Sequence, residues 1–173
     1  MTHKLSHVGG RGEAHMVDVS HKSPTVRKAV AAGRVVLSEE AFQAVRANRL
    51  AKGDILAVAR LAGIMAAKRT SEWVPLAHQV NLDQVEVDLS MDEATWSIEI
   101  RASSRARCVT GVEMEALVAV SAAGLALYDM VKAADRGAII GPFGVISKSG
   151  GRTGEYSRLW PPSRGLTGST CKE

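Results

Sequence analysis

The chain has 173 residues, 46% of them hydrophobic and 23% charged, with a formal net charge of +4. The apolar content excludes a dominantly disordered chain, and the length suits one domain with a sizeable core. Two cysteines are too few for a disulfide scaffold, and 4% aromatics are too few for a base-stacking platform. The basic balance points to an anionic partner, and the positions of the charges must say which.

Residues 1–15 are rich in Gly, His and charge without periodicity, and read as a mobile tail. They lack the apolar run of a secretory signal. His3 and His7 have the i,i+4 spacing of metal ligands, but no acid or thiol stands nearby, so no metal site is expected. Val26 to Leu37 reads as a strand. Ser38 then caps a short helix whose first turn holds Glu39 and Glu40. Residues 52–69, KGDILAVARLAGIMAAKR, carry apolar residues at helical spacing and end in a basic pair, which suits a helix C-terminus.

TSEWVPLAHQVNL is broken by Pro75 and reads as a loop. Val85, Val87 and Leu89 alternate with Glu86 and Asp88, the pattern of a half-buried strand; Trp96, Ile98 and Ile100 repeat it. MDEA between them predicts an antiparallel hairpin. Gly111 to about Asp135 is a long helix, and residues 138–147 are a glycine-interrupted strand. Residues 157–173, with Pro161 and Pro162, read as a second tail. The result is one domain over 16–156. Its element order predicts an α+β fold, a ferredoxin-like antiparallel sheet with helices packed on one face. No run of 18 uncharged apolar residues occurs, so neither a membrane span nor a membrane partner is expected. A cytoplasmic protein with reduced Cys108 and Cys171 is the default.

The long helix is apolar around nearly all its circumference. Such a helix is either central in the core or packs its outer face on another subunit. Its charged groups sit at its ends: Glu113 and Glu115 at the start, Asp129 and Lys132 near the finish. Glu115 and Asp129 are 14 residues apart, hence about 21 Å along the axis. If both serve one small substrate, the second must come from a neighbouring subunit. His78 in the PLAHQ loop is a potential acid–base group. Lys148 and Arg152 flank Gly150-Gly151, a turn able to approach phosphate, although the chain holds no P-loop motif.

KGD at 52–54, AGIMAAKRT at 62–70, TGVEMEAL at 110–117, YDMVKA at 128–133 and KSGGRTGEY at 148–156 together resemble the MoaC family. MVDVS at 16–20 matches its N-terminal motif. The resemblance implies a hexamer, a trimer of dimers with sites at dimer interfaces. It implies a lyase that converts 3′,8-cyclo-7,8-dihydroguanosine triphosphate to cyclic pyranopterin monophosphate and pyrophosphate, in molybdenum cofactor biosynthesis. It also implies the residues. Lys52, Asp129 and Lys132 match the catalytic set. Leu76, Ala77 and His78, with Glu113, Met114 and Glu115, match substrate-contacting segments. Lys68, Arg69 and Lys148 match basic positions, and Asp18, Lys22 and Arg27 lie where N-terminal site residues are expected. No cofactor is obligatory; Mg²⁺ would arrive with the triphosphate.

The chain departs from the family pattern in places. PLAHQV stands for the usual PLCHPL, Cys108-Val109 stands before TGVEMEAL, and YDMVK replaces YDMCK. The altered loop raises the alternative of a non-catalytic paralogue serving as an oligomeric nucleotide-binding module. Retention of Lys52, Asp129 and Lys132 favours the enzyme. RNA binding is disfavoured, since aromatics are few.

Overall fold

A computed structural model of the chain describes residues 13–49, 53–151 and 154–160. The elements follow in the order β1 Thr25–Val36, α1 Glu39–Arg46, α2 Ile55–Ala67, α3 Thr70–Trp73, β2 Gln84–Asp92, β3 Ser97–Cys108, α4 Glu113–Val131, β4 Ile139–Ser149 and β5 Tyr156–Ser157. All strands pair antiparallel in the order β2-β3-β1-β4-β5. Without β5 and the two shortest helices, β1-α2-β2-β3-α4-β4 is the ferredoxin-like plait that the sequence predicts.

Alternation decides which face is covered. Ala29, Ala31 and Val35 of β1 and Ile98, Ile100 and Ala102 of β3 are fully buried under the helices. Gly33 lies in the same row, and a Cβ there would collide with Val120 of α4. Helix α4 therefore sits directly on the central strand. Its other flank packs on α2, where a Cβ at Gly63 would come 2.8 Å from the Ala119 carbonyl oxygen. The apolar composition of α4 and its length of 19 residues would suit a membrane span. Instead, 61% of that stretch is buried by the sheet and α2, which marks it as a core helix.

Local chemistry sets the element ends. The Ser38 hydroxyl accepts from Ala41 N at 3.3 Å, as predicted. Helix α2 starts at Ile55 rather than at residue 52, because Asp54 caps it by accepting from Ala57 N at 2.9 Å and Gly53 before it has φ +82°. The segment predicted as a loop contains α3, fixed by Thr70 Oγ1 donating to Ala67 O at 2.9 Å. In the hairpin, Asp92 accepts from Ala94 N and from Thr95 Oγ1, closing a turn that ends at Trp96 in left-handed backbone, φ 48°. These hydrogen bonds hold the Asp92 carboxyl below its usual range.

The second face of the sheet carries a small cluster of Val30, Ala32 and Ile146. Trp160 packs on it, and its indole N–H donates to Glu99 Oε2 at 3.0 Å. Ser157 pairs with Ser147, and Arg158 N donates to Ile146 O at 2.9 Å. Residues 157–160, read from sequence as the start of a tail, thus lie against the sheet. Residues 1–12 and 161–173, with His3, His7 and Cys171, lie outside the described residues.

The Gly63–Ala119 approach is backbone to backbone and cannot relax through a rotamer. Gly63→Ala is expected to cost about 1–3 kcal/mol, the range for overpacking a tight contact. Urea unfolding monitored by circular dichroism checks this.

Candidate active site at the start of helix α4

Helix α4 begins without a side-chain cap: Val112 occupies the N-cap position. The Glu113 and Met114 N–H groups at its start therefore receive no N-cap bond near the positive end of the helix dipole, while the Glu115 N–H meets its own carboxyl. Thr110 and Gly111, just before it, line two adjoining cavities. One, of about 600 Å³, is basic: Lys22 and Arg27 line it with Gly151. The other, of about 420 Å³, is mainly apolar: Leu76, Ala77 and Met114 line it with His78 and Glu115. A third cavity of about 370 Å³ lies beyond Glu113 and Lys148 and reaches Tyr156 and Arg158. The basic lobe has the chemistry of a polyphosphate site, and the apolar lobe suits a flat heterocycle.

Gly150 and Gly151 have φ +94° and +76°, and Arg27 lies against both. Arg27 Nη1 donates to Gly150 O at 3.4 Å, while its Nε is buried without a partner. The N-terminal segment closes over the 76–78 loop, because His78 Nε2 bonds Val17 O at 2.8 Å. A carbonyl only accepts, so Nε2 is the donor in this bond.

The two first-turn glutamates differ. Glu113 Oε1 pairs with Lys148 Nζ at 2.9 Å, and its carboxylate packs on Gly111, where a Cβ would collide with it. Glu115 is 3% exposed and its Oε2 has no hydrogen-bond partner. Burial disfavours its charge, and the neighbouring Glu113 adds to this, so its pKa is raised. Cys108, which donates to Thr110 O at 3.1 Å, is also pushed up by burial.

Asp129 and Lys132 stand at the far end of α4. Lys132 Nζ is 2.7 Å from Asp129 Oδ1, and both side chains are more than half exposed. The hydrogen bond from Lys132 to Asp129 raises the lysine pKa. The structure thus gathers Lys22, Arg27, Leu76, Ala77, His78, Glu113, Met114, Glu115 and Lys148 around the start of α4, and leaves Asp129 and Lys132 apart. Lys68 and Arg69 are exposed at the end of α2 and line none of these cavities. Asp18 is exposed as well; the backbone N–H of Ser20, 2.9 Å from Oδ1, lowers its pKa. Lys52 lies outside the described residues. Sequence reasoning missed His21, Thr110, Gly111 and Arg158; only Thr110 and Gly111 had a signal, their place in the TGVEMEAL motif.

The raised Glu115 pKa has a sign. The folded state holds this proton more tightly than the unfolded chain, so its contribution is complete below the unfolded carboxyl value. Stability falls as pH rises through the folded value. Glu115→Gln should match the wild type near pH 4 and become the more stable protein as pH is raised to 8. Thermal melts across that range read the gap; a gap that is constant with pH would refute it.

The description "MoaC family" fits a sequence model matching residues 16–151. The chain is 54% identical over 155 residues to a cyclic pyranopterin monophosphate synthase of Thermomicrobium roseum, covering 90% of this chain and 93% of that one. It is 49% identical over 154 residues to the synthase of Heliobacterium modesticaldum, covering 89% and 97%. It is 52% identical over 155 residues to cyclic pyranopterin monophosphate synthase 2 of Mycobacterium bovis, covering 90% and 92%. With its fold, its cleft and these likenesses together, the chain belongs to the MoaC family.

Proposed function

We propose that this protein is a lyase of molybdenum cofactor biosynthesis. It converts 3′,8-cyclo-7,8-dihydroguanosine triphosphate to cyclic pyranopterin monophosphate and releases pyrophosphate. The observation that carries this reading is the two-lobed cleft at the start of α4, on a chain about half identical to synthases of that name. The apolar lobe takes the base, with His78 and Glu115 at its edge. Lys22, Arg27 and the α4 N–H groups take the phosphates, and Mg²⁺ enters only as a companion of the triphosphate.

The rearrangement opens one ring, closes another and forms a cyclic phosphate. Every one of these steps moves protons, so positioned acids and bases accelerate it. Lys132, kept charged by Asp129, and Lys52 supply that work. Cations offset the charge that develops as pyrophosphate leaves. This chemistry needs Asp129 and Lys132 near the cleft, yet about 21 Å of helix separates Glu115 from Asp129 in one chain. We therefore infer a homo-oligomer, a hexamer as a trimer of dimers, whose interface brings the second end of α4 from a neighbour. Exposed Val58, Leu61 and Met65 of α2 and Leu125 of α4 supply apolar surface for such contacts. Lys68 and Arg69 reach phosphates only across such an interface. The altered loop puts Ala77 in the apolar lobe, but His78, Glu113, Glu115 and Lys148 are retained around the cleft, which favours the enzyme over the non-catalytic alternative. A cytoplasmic setting, with the thiols reduced, goes with this reading.

Two outcomes test it. Asp129→Asn should lower kcat by about 10²-fold. It should also shift the alkaline limb of the pH profile downward, since Lys132 loses the bond that raises its pKa. Separately, inactive Glu115→Ala and Asp129→Ala proteins, mixed under conditions of subunit exchange, should regain activity. Exchange without recovery would defeat the shared site.

A further inference from the structure

The third cavity has a wall that the resemblance to the family does not assign. Its residues come from the C-terminal segment. Strand β5 brings Tyr156 opposite Lys148. Arg158 follows, its backbone N–H fixed to Ile146 O at 2.9 Å, and two residues later Trp160 is anchored on Glu99 and the apolar cluster. The Arg158 backbone is thus held between two attachments, and its side chain is exposed. Its guanidinium lies over Gly144, where a Cβ would collide with Nη2. Among the described residues, no carboxylate pairs with it. It faces a cavity of about 370 Å³ whose other charged walls are Lys148 and its partner Glu113, and Glu113 also packs on Gly111 of the two-lobed cleft.

We propose that Arg158 is a phosphate-binding residue of this site, gripping with Lys148 the terminal diphosphate of the substrate. The planar guanidinium can give a diphosphate two parallel hydrogen bonds, which a lysine cannot. The segment from β5 to Trp160 is then a wall of the site, and its sequence sets diphosphate affinity. This rests on the reading of the cleft as the binding site of a triphosphate-bearing substrate.

The test is calorimetric titration of the full chain with inorganic pyrophosphate. Arg158→Met, which keeps the apolar stem over Gly144, should weaken binding about tenfold, the range of a lost charge-assisted pair. Arg158→Lys should recover part of this. Gly144→Ala should weaken binding as well, because it displaces the guanidinium without removing the charge. Arg105→Met, which removes the same charge from β3, should bind as the wild type does. The substrate KM should rise in the Arg158 variants more than kcat falls. Wild-type affinity in Arg158→Met, equal weakening in Arg105→Met, or no pyrophosphate binding by the wild type would each overturn the proposal. If Arg158→Met fails to fold, the Arg158→Lys and Gly144→Ala titrations decide. Absence of turnover by the wild type would instead defeat the proposed reaction, and the titrations would still decide Arg158.

Discussion

The close seating of α4 between the sheet and α2 is the contact on which everything else depends. It is made possible by what is missing: side chains at Gly33 and Gly63, and bulk at Ala119, Ala122 and Ala123. A helix pressed this tightly onto a central strand has no freedom to slide or rotate. Both of its ends are therefore fixed in space relative to the strands. The uncapped start faces Thr110, Gly111 and the basic lobe, and the finish presents the Asp129–Lys132 pair to solvent.

That rigidity gives two neighbouring carboxylates different characters. Glu113 and Glu115 are two residues apart on one helix, so they point to different sides of it. Glu113 meets Lys148 at the rim. Glu115 is buried, and burial, with the neighbouring Glu113, makes it hold its proton more firmly. The same stretch of sequence thus supplies, within one turn, a carboxylate paired with a cation and a carboxyl that burial inclines to neutrality.

Much of this was legible in the sequence. The strands that alternate, β2 and β3, and the Ser38 cap stand where periodicity and capping chemistry predict them. The start of α2 was misjudged because apolar spacing cannot see that Asp54 caps and Gly53 turns. Strand β5 was invisible, since two residues carry no period, and Trp160 beside Pro161 looks like a tail by composition. The candidate site was legible chiefly through long motifs shared with a family. Its physical logic, a basic lobe joined to an apolar lobe at Thr110 and Gly111, needed the fold, because residues near 22, 76, 110 and 151 meet only in three dimensions.

The two outer strands of the sheet have a further consequence. Strand β5 offers only two residues at one margin, and β2 at the other carries exposed Glu86 and Asp88. The β2 margin is a poor template for another strand, because its charges repel a copy of itself, whereas β5 covers β4 only at Ser147 and Lys148. Growth of the sheet from molecule to molecule, the route to fibrous aggregation, is therefore disfavoured at the β2 border.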